Sequence, residues 1–374
     1  MNAKRATTGG IALAISAIAT VAMVALTTGA ATWAAQPASG KGWRDVLNAP
    51  AVKSPLASRA LLNGLASAGS RTVAVGQRGH IVYSDDGGKS WRQAEVPVSS
   101  DLVAVSFPNA TNGWAVGHDG VVLHTTDAGV TWTVQLDGFK VGGVMVQNYQ
   151  REAAALAADD PKRAALLIDE AKRFEAQGAE NPFLDVWFRD ASEGFVVGAF
   201  GLVLHTTDGG AHWAPWLHAL DNPKGLHLYA VRGIGSDVYI TGEQGLLLKL
   251  ERGGTRFRAL ELPYKGTLFG ITGSARSLIA YGLRGTVLRS TDGGRSWQQT
   301  PTGLQVGLTA GTLQDDGRIV IVSQAGHILS STDDGASFKA ASTERTVPAA
   351  AVVTPAKGAL VIAGPRGAQS LPLP

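Results

Sequence analysis

One spacing constrains this chain more than any other. Glycines at positions 79, 120, 201, 245, 285, 326 and 367 are followed, in six of seven cases, by an aromatic residue twelve places on: Trp91, Trp132, Trp213, Phe257, Trp297 and Phe338. The steps between these glycines are 41, 81, 44, 40, 41 and 41 residues, so one unit recurs and the second step carries surplus chain. A repeat of about forty residues, filled with short apolar runs, describes a β-propeller in which each repeat is one small antiparallel sheet. The expected fold is all-β: a seven-bladed propeller of four-stranded antiparallel blades, with a helical-hairpin insert between blades 2 and 3. A propeller of this length is one domain, because each blade packs only on its neighbours.

The blades can be aligned by eye. Blade 1 runs Val75-Gly76-Gln77-Arg78-Gly79 and ends Asp86-Gly87-Gly88-Lys89-Ser90-Trp91, and blade 5 runs Tyr281-Gly282-Leu283-Arg284-Gly285 and ends Asp292-Gly293-Gly294-Arg295-Ser296-Trp297. Gly-x-x-Gly breaks the strand alternation and reads as a tight turn, since glycine tolerates positive φ. The second segment, Ser/Thr-x-Asp-x-Gly-x-Ser/Thr-Trp, is another turn. There Asp86, Asp127, Asp208, Asp292 and Asp333 can accept backbone N–H bonds, and the aromatic after each, Trp91, Trp132, Trp213 or Trp297 among them, should pack between blades. These segments resemble the Asp-box, or BNR, repeat. In blade 4 Arg252 stands where the aspartate belongs, and in blade 3 His212 replaces Ser or Thr. In Asp-box proteins the motif is a structural turn away from any active site, so these aspartates are expected to build the fold and not to catalyse or hold metal.

The two chain ends carry further expectations. The seventh copy stops after Gly364-Pro365-Arg366-Gly367 and lacks a last strand, while Trp43-Arg44-Asp45-Val46 resembles Trp91-Arg92-Gln93-Ala94. Residues 42–48 are therefore expected to close blade 7 as its outer strand, removing an open sheet edge. Ahead of them, Lys4 and Arg5, the apolar run from Ile11 to Leu26 and small residues to Ala35 read as a signal peptide over 1–35, with the propeller at 36–374. The apolar run falls short of the ~20 residues of a spanning helix, so a retained N-terminal membrane anchor is the second reading. Export places the protein in the periplasm or outside the cell. Without residues 1–35 the formal charge falls from +3 to +1, which argues against nucleic acid as a partner.

From about 146 to 178 the pattern changes to helix formers. Asp160 reads as an N-cap, Pro161 as the first helical residue, and Gly178 as the stop, with Ala164, Leu167, Ile168, Ala171 and Phe174 on one face. This insert either covers an edge of the ring or docks a partner. It supplies no strand, so a short linker in its place is expected to leave the ring intact. In a four-stranded antiparallel blade the turn between strands two and three lies on the same face as the link to the next blade. The insert should therefore share a face with Arg78, Arg284 and Arg366, and with His118, Asp119, Phe200 and Gln244, which are the expected partner-binding residues.

Catalytic patterns are missing. The eight histidines show no His-x-His or His-Glu-x-x-His spacing, no phosphate loop occurs, and nothing pairs the acids Asp101, Asp185, Asp190, Glu193 and Asp221 as glycoside hydrolysis requires. No catalytic residue, metal or cofactor is assigned. Seven Asp-box blades behind an export signal resemble the photosystem II stability/assembly factor family, a resemblance covering about residues 42–374. It implies a non-enzymatic propeller that binds a membrane-protein complex from its lumenal or periplasmic side; the propeller is expected to be monomeric, and its partner photosystem-like or a transporter. The alternatives are a secreted glycoside hydrolase or sialidase-like enzyme and a carbohydrate-binding propeller.

Overall fold

In the computed structural model, which describes residues 44–341, 346–355 and 359–372, the apolar runs form seven antiparallel sheets. Blade 1 shows the pattern, with strands Leu62–Ala68, Arg71–Gly76, Ile81–Ser84 and Arg92–Gln93 paired in sequence order. The first strands of the blades touch one another in order, and Ala351–Val353 of blade 7 meets Leu62–Ala68 of blade 1, so the ring closes. No blade can bury both faces alone. Each of the seven apolar clusters accordingly forms one joint: Val73 and Tyr83 of blade 1 pack with Val105 and Trp132 of blade 2, and Val82 of blade 1 packs with Ala363 of blade 7. Each Asp-box aromatic serves the joint with the preceding blade, Trp132 at 1–2, Trp213 at 2–3, Phe257 at 3–4, Trp297 at 4–5, Phe338 at 5–6 and Trp91 at 7–1.

The Asp-box turns owe their shape to the carboxylate. Asp86 Oδ1 accepts from Lys89 N at 3.0 Å and Ser90 N at 2.9 Å, and Oδ2 accepts from Ser90 Oγ at 2.5 Å. Trp91 Nε1 then donates to Gly88 O at 3.1 Å, tying the turn to the joint. The Ser337 hydroxyl and backbone N–H, with Ser331, hold Asp333 down at about 2. Blade 3 keeps the geometry with a different group, since His212 Nδ1 takes the place of the hydroxyl against Asp208 Oδ2 at 2.7 Å. In blade 4, Asp237 of the second strand (Asp237–Gly242) accepts from Arg252 N at 3.2 Å.

The Gly-x-x-Gly turn differs from the expected plain hairpin. Gln77–Gly79 is a single 3-10 turn in which Arg78 as well as Gly79 is left-handed, at φ 56° and 68°. Both glycines are needed for close approach, because a Cβ on Gly76 would lie 2.1 Å from Leu61 O and one on Gly79 would lie 2.1 Å from Val98 O. The residue between them is thus fixed in a left-handed conformation with its side chain outward, and Asp119, Phe200, Gln244 and Arg284 repeat it.

One expectation about the N-terminal chain is corrected. The described part of 42–48 adds no strand to blade 7, whose described strands number three. Val46–Asn48 is a 3-10 turn, capped by Asp45 accepting from Leu47 N at 2.9 Å and bonded through Val46 O to Ser99 N at 2.8 Å. These bonds hold it on the link between blades 1 and 2, with Leu47 packed on the 1–2 joint. Ala57–Arg59 instead lies against the third strand of blade 7, Gly367–Pro372. Trp43 and the signal peptide of 1–35 lie outside the described residues.

The insert begins earlier than 146. Helix α1 spans Gly138–Asp159 and α2 spans Pro161–Gln177, where Asp160 accepts from Arg163 N at 3.0 Å and Gly178 ends the helix at φ 63°, as its sequence implies. The glycines at 138 and 142 look like breakers but permit contact, since a Cβ on Gly142 would sit 2.2 Å from Glu175 Cα. Nor is the insert a detachable cover. Met145, Tyr149 and Phe174 are buried in one cluster with Trp114, Leu136, Phe183 and Trp213 of blades 2 and 3, and Tyr149 OH accepts from Leu217 N at 3.1 Å. Removing it would strip that joint.

Phe174→Ala should therefore lower the stability of the whole ring, by about 3–5 kcal/mol for a fully buried aromatic. Urea unfolding followed by tryptophan fluorescence measures this. A loss under about 1 kcal/mol, the scale of a surface change, would mean the helices do not share the core.

Candidate functional site

The insert and the Gly-x-x-Gly turns do lie on one face. A Cβ on Gly120 would meet Gly138 Cα at 2.7 Å and Asn181 O at 3.4 Å, so the blade 2 turn abuts both ends of the hairpin. Arg173 of α2 stands over the Phe200 ring, Cζ to centroid 5.6 Å. Arg78, His118, Phe200, Gln244, Arg284 and Arg366 are exposed, and Asp119 is half-buried. The structure does not gather them into one cluster: Arg78, Arg284 and Arg366 stand on the separate turns of blades 1, 5 and 7. Two of the set meet the insert: Asp119, whose backbone O would lie 2.7 Å from a Cβ on Gly138 at the start of α1, and Phe200, at a cleft of about 480 Å³ between α2 and the link from blade 3 to blade 4. Arg163, Leu166, Arg173 and Lys224 of that cleft escaped the sequence reading. The available signal was Leu166, an apolar residue on the outer side of α2.

The central channel holds about 200 Å³ and is lined by residues of every blade. Its one buried charge is Asp185, on the first strand of blade 3 (Phe183–Phe188), whose Oδ2 accepts from Val231 N at 2.8 Å and from Arg232 Nη1. Burial pushes the Asp185 carboxyl above its ordinary value, and the Arg232 guanidinium opposes that push. Burial likewise pushes the nearby Tyr281 phenol up to about 12. Arg232 keeps 44% of its side chain accessible because it faces the channel. The pair clamps blade 3 to blade 4 from inside, a contact between strands distant in sequence that no local pattern announces.

The remaining acids considered from sequence have local structural work. Asp101 Oδ1 accepts from Arg78 N at 2.7 Å, Asp190 Oδ1 from Ser192 N at 2.7 Å and Glu193 N at 2.9 Å, and Asp221 Oδ2 from Ala259 N at 3.3 Å. Glu193 pairs with Arg189 at 2.8 Å. His124 and His205, equivalent by repeat, make equivalent stacks on Trp114 and Phe195, with centroids 4.6 and 4.3 Å apart. Among the described residues no three His, Cys, Asp or Glu side chains converge, and no helix is long and apolar enough to cross a membrane.

Arg232→Met should leave Asp185 buried without its partner and cost about 3 kcal/mol, the low end for a broken buried pair because the guanidinium is partly hydrated. The sign with pH follows from the raised carboxyl. Above its ordinary 3.8 the unfolded chain releases this proton while the folded one retains it, so stability falls with rising pH. The difference from wild type should thus grow from pH 4 towards neutrality in urea titrations. A difference that is constant or shrinks with pH would show that Arg232 does not hold the Asp185 charge.

Comparison with known proteins agrees with this architecture. Residues 65–160 and 166–300 match the family model described as Photosynthesis system II assembly factor YCF48. The Photosystem II assembly lipoprotein Ycf48 of Synechococcus sp. (strain CC9902) is 31% identical over 173 residues, which are 44% of this chain and 50% of that protein. The chain thus spans about half the length of that curated relative. A solved structure titled YCF48 bound to D1 peptide superposes with a TM-score of 0.62 at 15% identity, over 86% of this chain and 96% of the other. The glycoside hydrolase of family 74 from Niastella koreensis superposes at 0.59 with 15% identity, over 83% and 52%, so the ring alone does not separate binder from enzyme. The family-model match, extending over more than half of the sequence, decides the assignment: this chain belongs to the photosystem II assembly factor YCF48 family.

Proposed function

We propose that this protein is an exported, non-catalytic assembly or stability factor that binds a membrane-protein complex through the face carrying the insert and the Gly-x-x-Gly turns. The observation that carries the reading is the composition of that face. Phe139, Leu166, Phe200 and Leu283 are exposed there together with Arg78, Arg284 and Arg366. Apolar anchors among cations suit a protein partner, since aromatic and arginine side chains dominate binding energy at interfaces. Family membership supports the class of partner, and the relative solved with a D1 peptide supports a peptide segment of such a protein as the bound element. The basic start at Lys4 and Arg5 and the apolar run from Ile11 to Leu26 support a signal peptide over 1–35 as the export route. The carboxylates tied to backbone N–H groups support binding over hydrolysis.

Tagged protein lacking residues 1–35 should capture a defined membrane complex from detergent-solubilised membranes, identified by mass spectrometry. Arg78→Glu with Arg284→Glu should weaken that capture, more so at low salt. Equal capture by the double variant at all salt concentrations would place the partner elsewhere. Turnover of aryl glycosides or sialosides by the purified protein, abolished by changing one channel-lining acid, would overturn the non-catalytic reading.

A further inference from the structure

The cleft beside α2 has a chemistry that the rest of the face lacks. Its floor is apolar and open, with Leu166 68% and Phe200 46% exposed. Phe200 occupies the outward, left-handed position of its turn at φ 54°, where the other Gly-x-x-Gly turns of this conformation place Arg78, Asp119, Gln244 and Arg284. A polar residue serves that backbone equally well, and a bulky one at positive φ is uncommon, so the turn itself does not call for the aromatic ring. The ring is nevertheless held in place. Phe200 N donates to His227 Nδ1 at 3.0 Å, the imidazole packs 4.7 Å from the phenyl centroid, and Arg173 covers another side. What remains exposed is a fixed apolar surface facing Leu166 across the cleft.

The rim is cationic. Arg163, Arg173 and Lys224 line the cleft with one acid, Glu170, which is already paired with Arg173. Arg163 donates to a neutral carbonyl, His218 O at 3.3 Å, and Lys224 to the amide oxygen of Gln244 at 3.3 Å. Among the described residues, these two cations of the rim have carbonyl and amide oxygens and no carboxylate as hydrogen-bond partners, which favours an anionic occupant. We propose that this cleft docks an extended acidic peptide segment of the membrane partner, with an apolar side chain seated between Leu166 and Phe200 and carboxylates directed to Arg163 and Lys224. The proposal rests on the reading that this face meets the partner, and names the site and the chemistry of the segment. Positive φ, apolar exposure and cationic charge coincide at this cleft.

The test uses a short fluorescein-labelled acidic peptide with a central leucine–phenylalanine pair, titrated with the protein by fluorescence polarisation. Phe200→Asn keeps a residue suited to positive φ and removes only the ring, so the turn is preserved. It and Leu166→Ser should each weaken binding about tenfold. Arg163→Gln with Lys224→Gln should weaken it and flatten its salt dependence, and Lys89→Gln, in the Asp-box turn of blade 1, should leave it unchanged. Peptides lacking the acids or the apolar pair should bind poorly. Unchanged affinity in the Phe200 and Leu166 variants would overturn the proposal, as would equal binding of the peptide without acids. So would cosedimentation with phosphatidylglycerol vesicles that depends on the same residues in the absence of peptide binding, which would mark a lipid surface. If membrane capture survives both apolar variants, the partner face stands and the cleft does not. If wild type captures no membrane protein yet binds the peptide through Phe200, the cleft stands and the partner assignment falls.

Discussion

The joint between blades is the constraint on which the rest of this protein depends. A blade four strands wide has two apolar faces and cannot cover either with its own residues, so each must be buried on a neighbour. At the 1–2 joint this brings Val73, Val75 and Tyr83 against Val105, Leu123 and Trp132, and Trp132 Nε1 donates to Gly129 O at 3.1 Å. The same bond made by Trp91 and Trp297 ties turn and joint into one unit in blades 1 and 5. Trp213 is the exception. Its Nε1 has no partner among the described residues, and one residue before the equivalent acceptor Gly210, Gly209 O accepts from Gln135 Nε2 at 2.8 Å and Trp114 Nε1 at 3.3 Å. The 2–3 joint is thus built differently from the other joints that carry a tryptophan, and it is the joint into which the helices pack.

That coincidence explains how an insert of two helices persists in a ring of sheets. Tyr149 and Phe174 add fully buried aromatic area to a joint whose Trp114 and Phe188 stack at 3.5 Å between centroids. The helices are anchored by the same apolar burial that closes the ring. Their outer side is then free to carry Leu166 and Arg173, and anchoring on a rigid core gives such residues fixed positions. In the proposed docking mode, stability and recognition would use opposite sides of the same helix α2.

What was legible in the sequence follows from what is local. The glycine-to-aromatic interval, the Asp-box and the Asp160–Pro161 start of α2 each depend on residues within a turn or two of one another. The start of α1 was misread because Gly138 and Gly142 break helices in isolation, while here they admit Ala179 and Glu175 to close contact. The closing strand rests on a short likeness to Trp91-Arg92-Gln93-Ala94, and side-chain likeness does not encode the bonds from Leu47 N to Asp45 and from Ser99 N to Val46 O that turn the described part of that segment aside. Left-handed φ at Arg78 and its counterparts was hidden because the glycines flanking each position explain the turn too readily. Of the site residues, strand parity gave the shared face, but neither the Asp185–Arg232 clamp nor the cleft could be read, since both join segments whose proximity exists only in the closed ring.

The central claim is that the partner meets the insert face and not the Asp-box face. Lysines mark the two sides: Lys172 lies on α2 and Lys224 on the cleft rim, whereas Lys89 lies in the Asp-box turn of blade 1, which joins strands three and four and so sits at the end of the blade opposite its Gly-x-x-Gly turn. Lysine-reactive cross-linking of the protein to its captured membrane complex, read by mass spectrometry, distinguishes them directly. Cross-links concentrated at Lys172 and Lys224, with Lys89 unlinked, are the predicted result. Links concentrated at Lys89 would contradict the account.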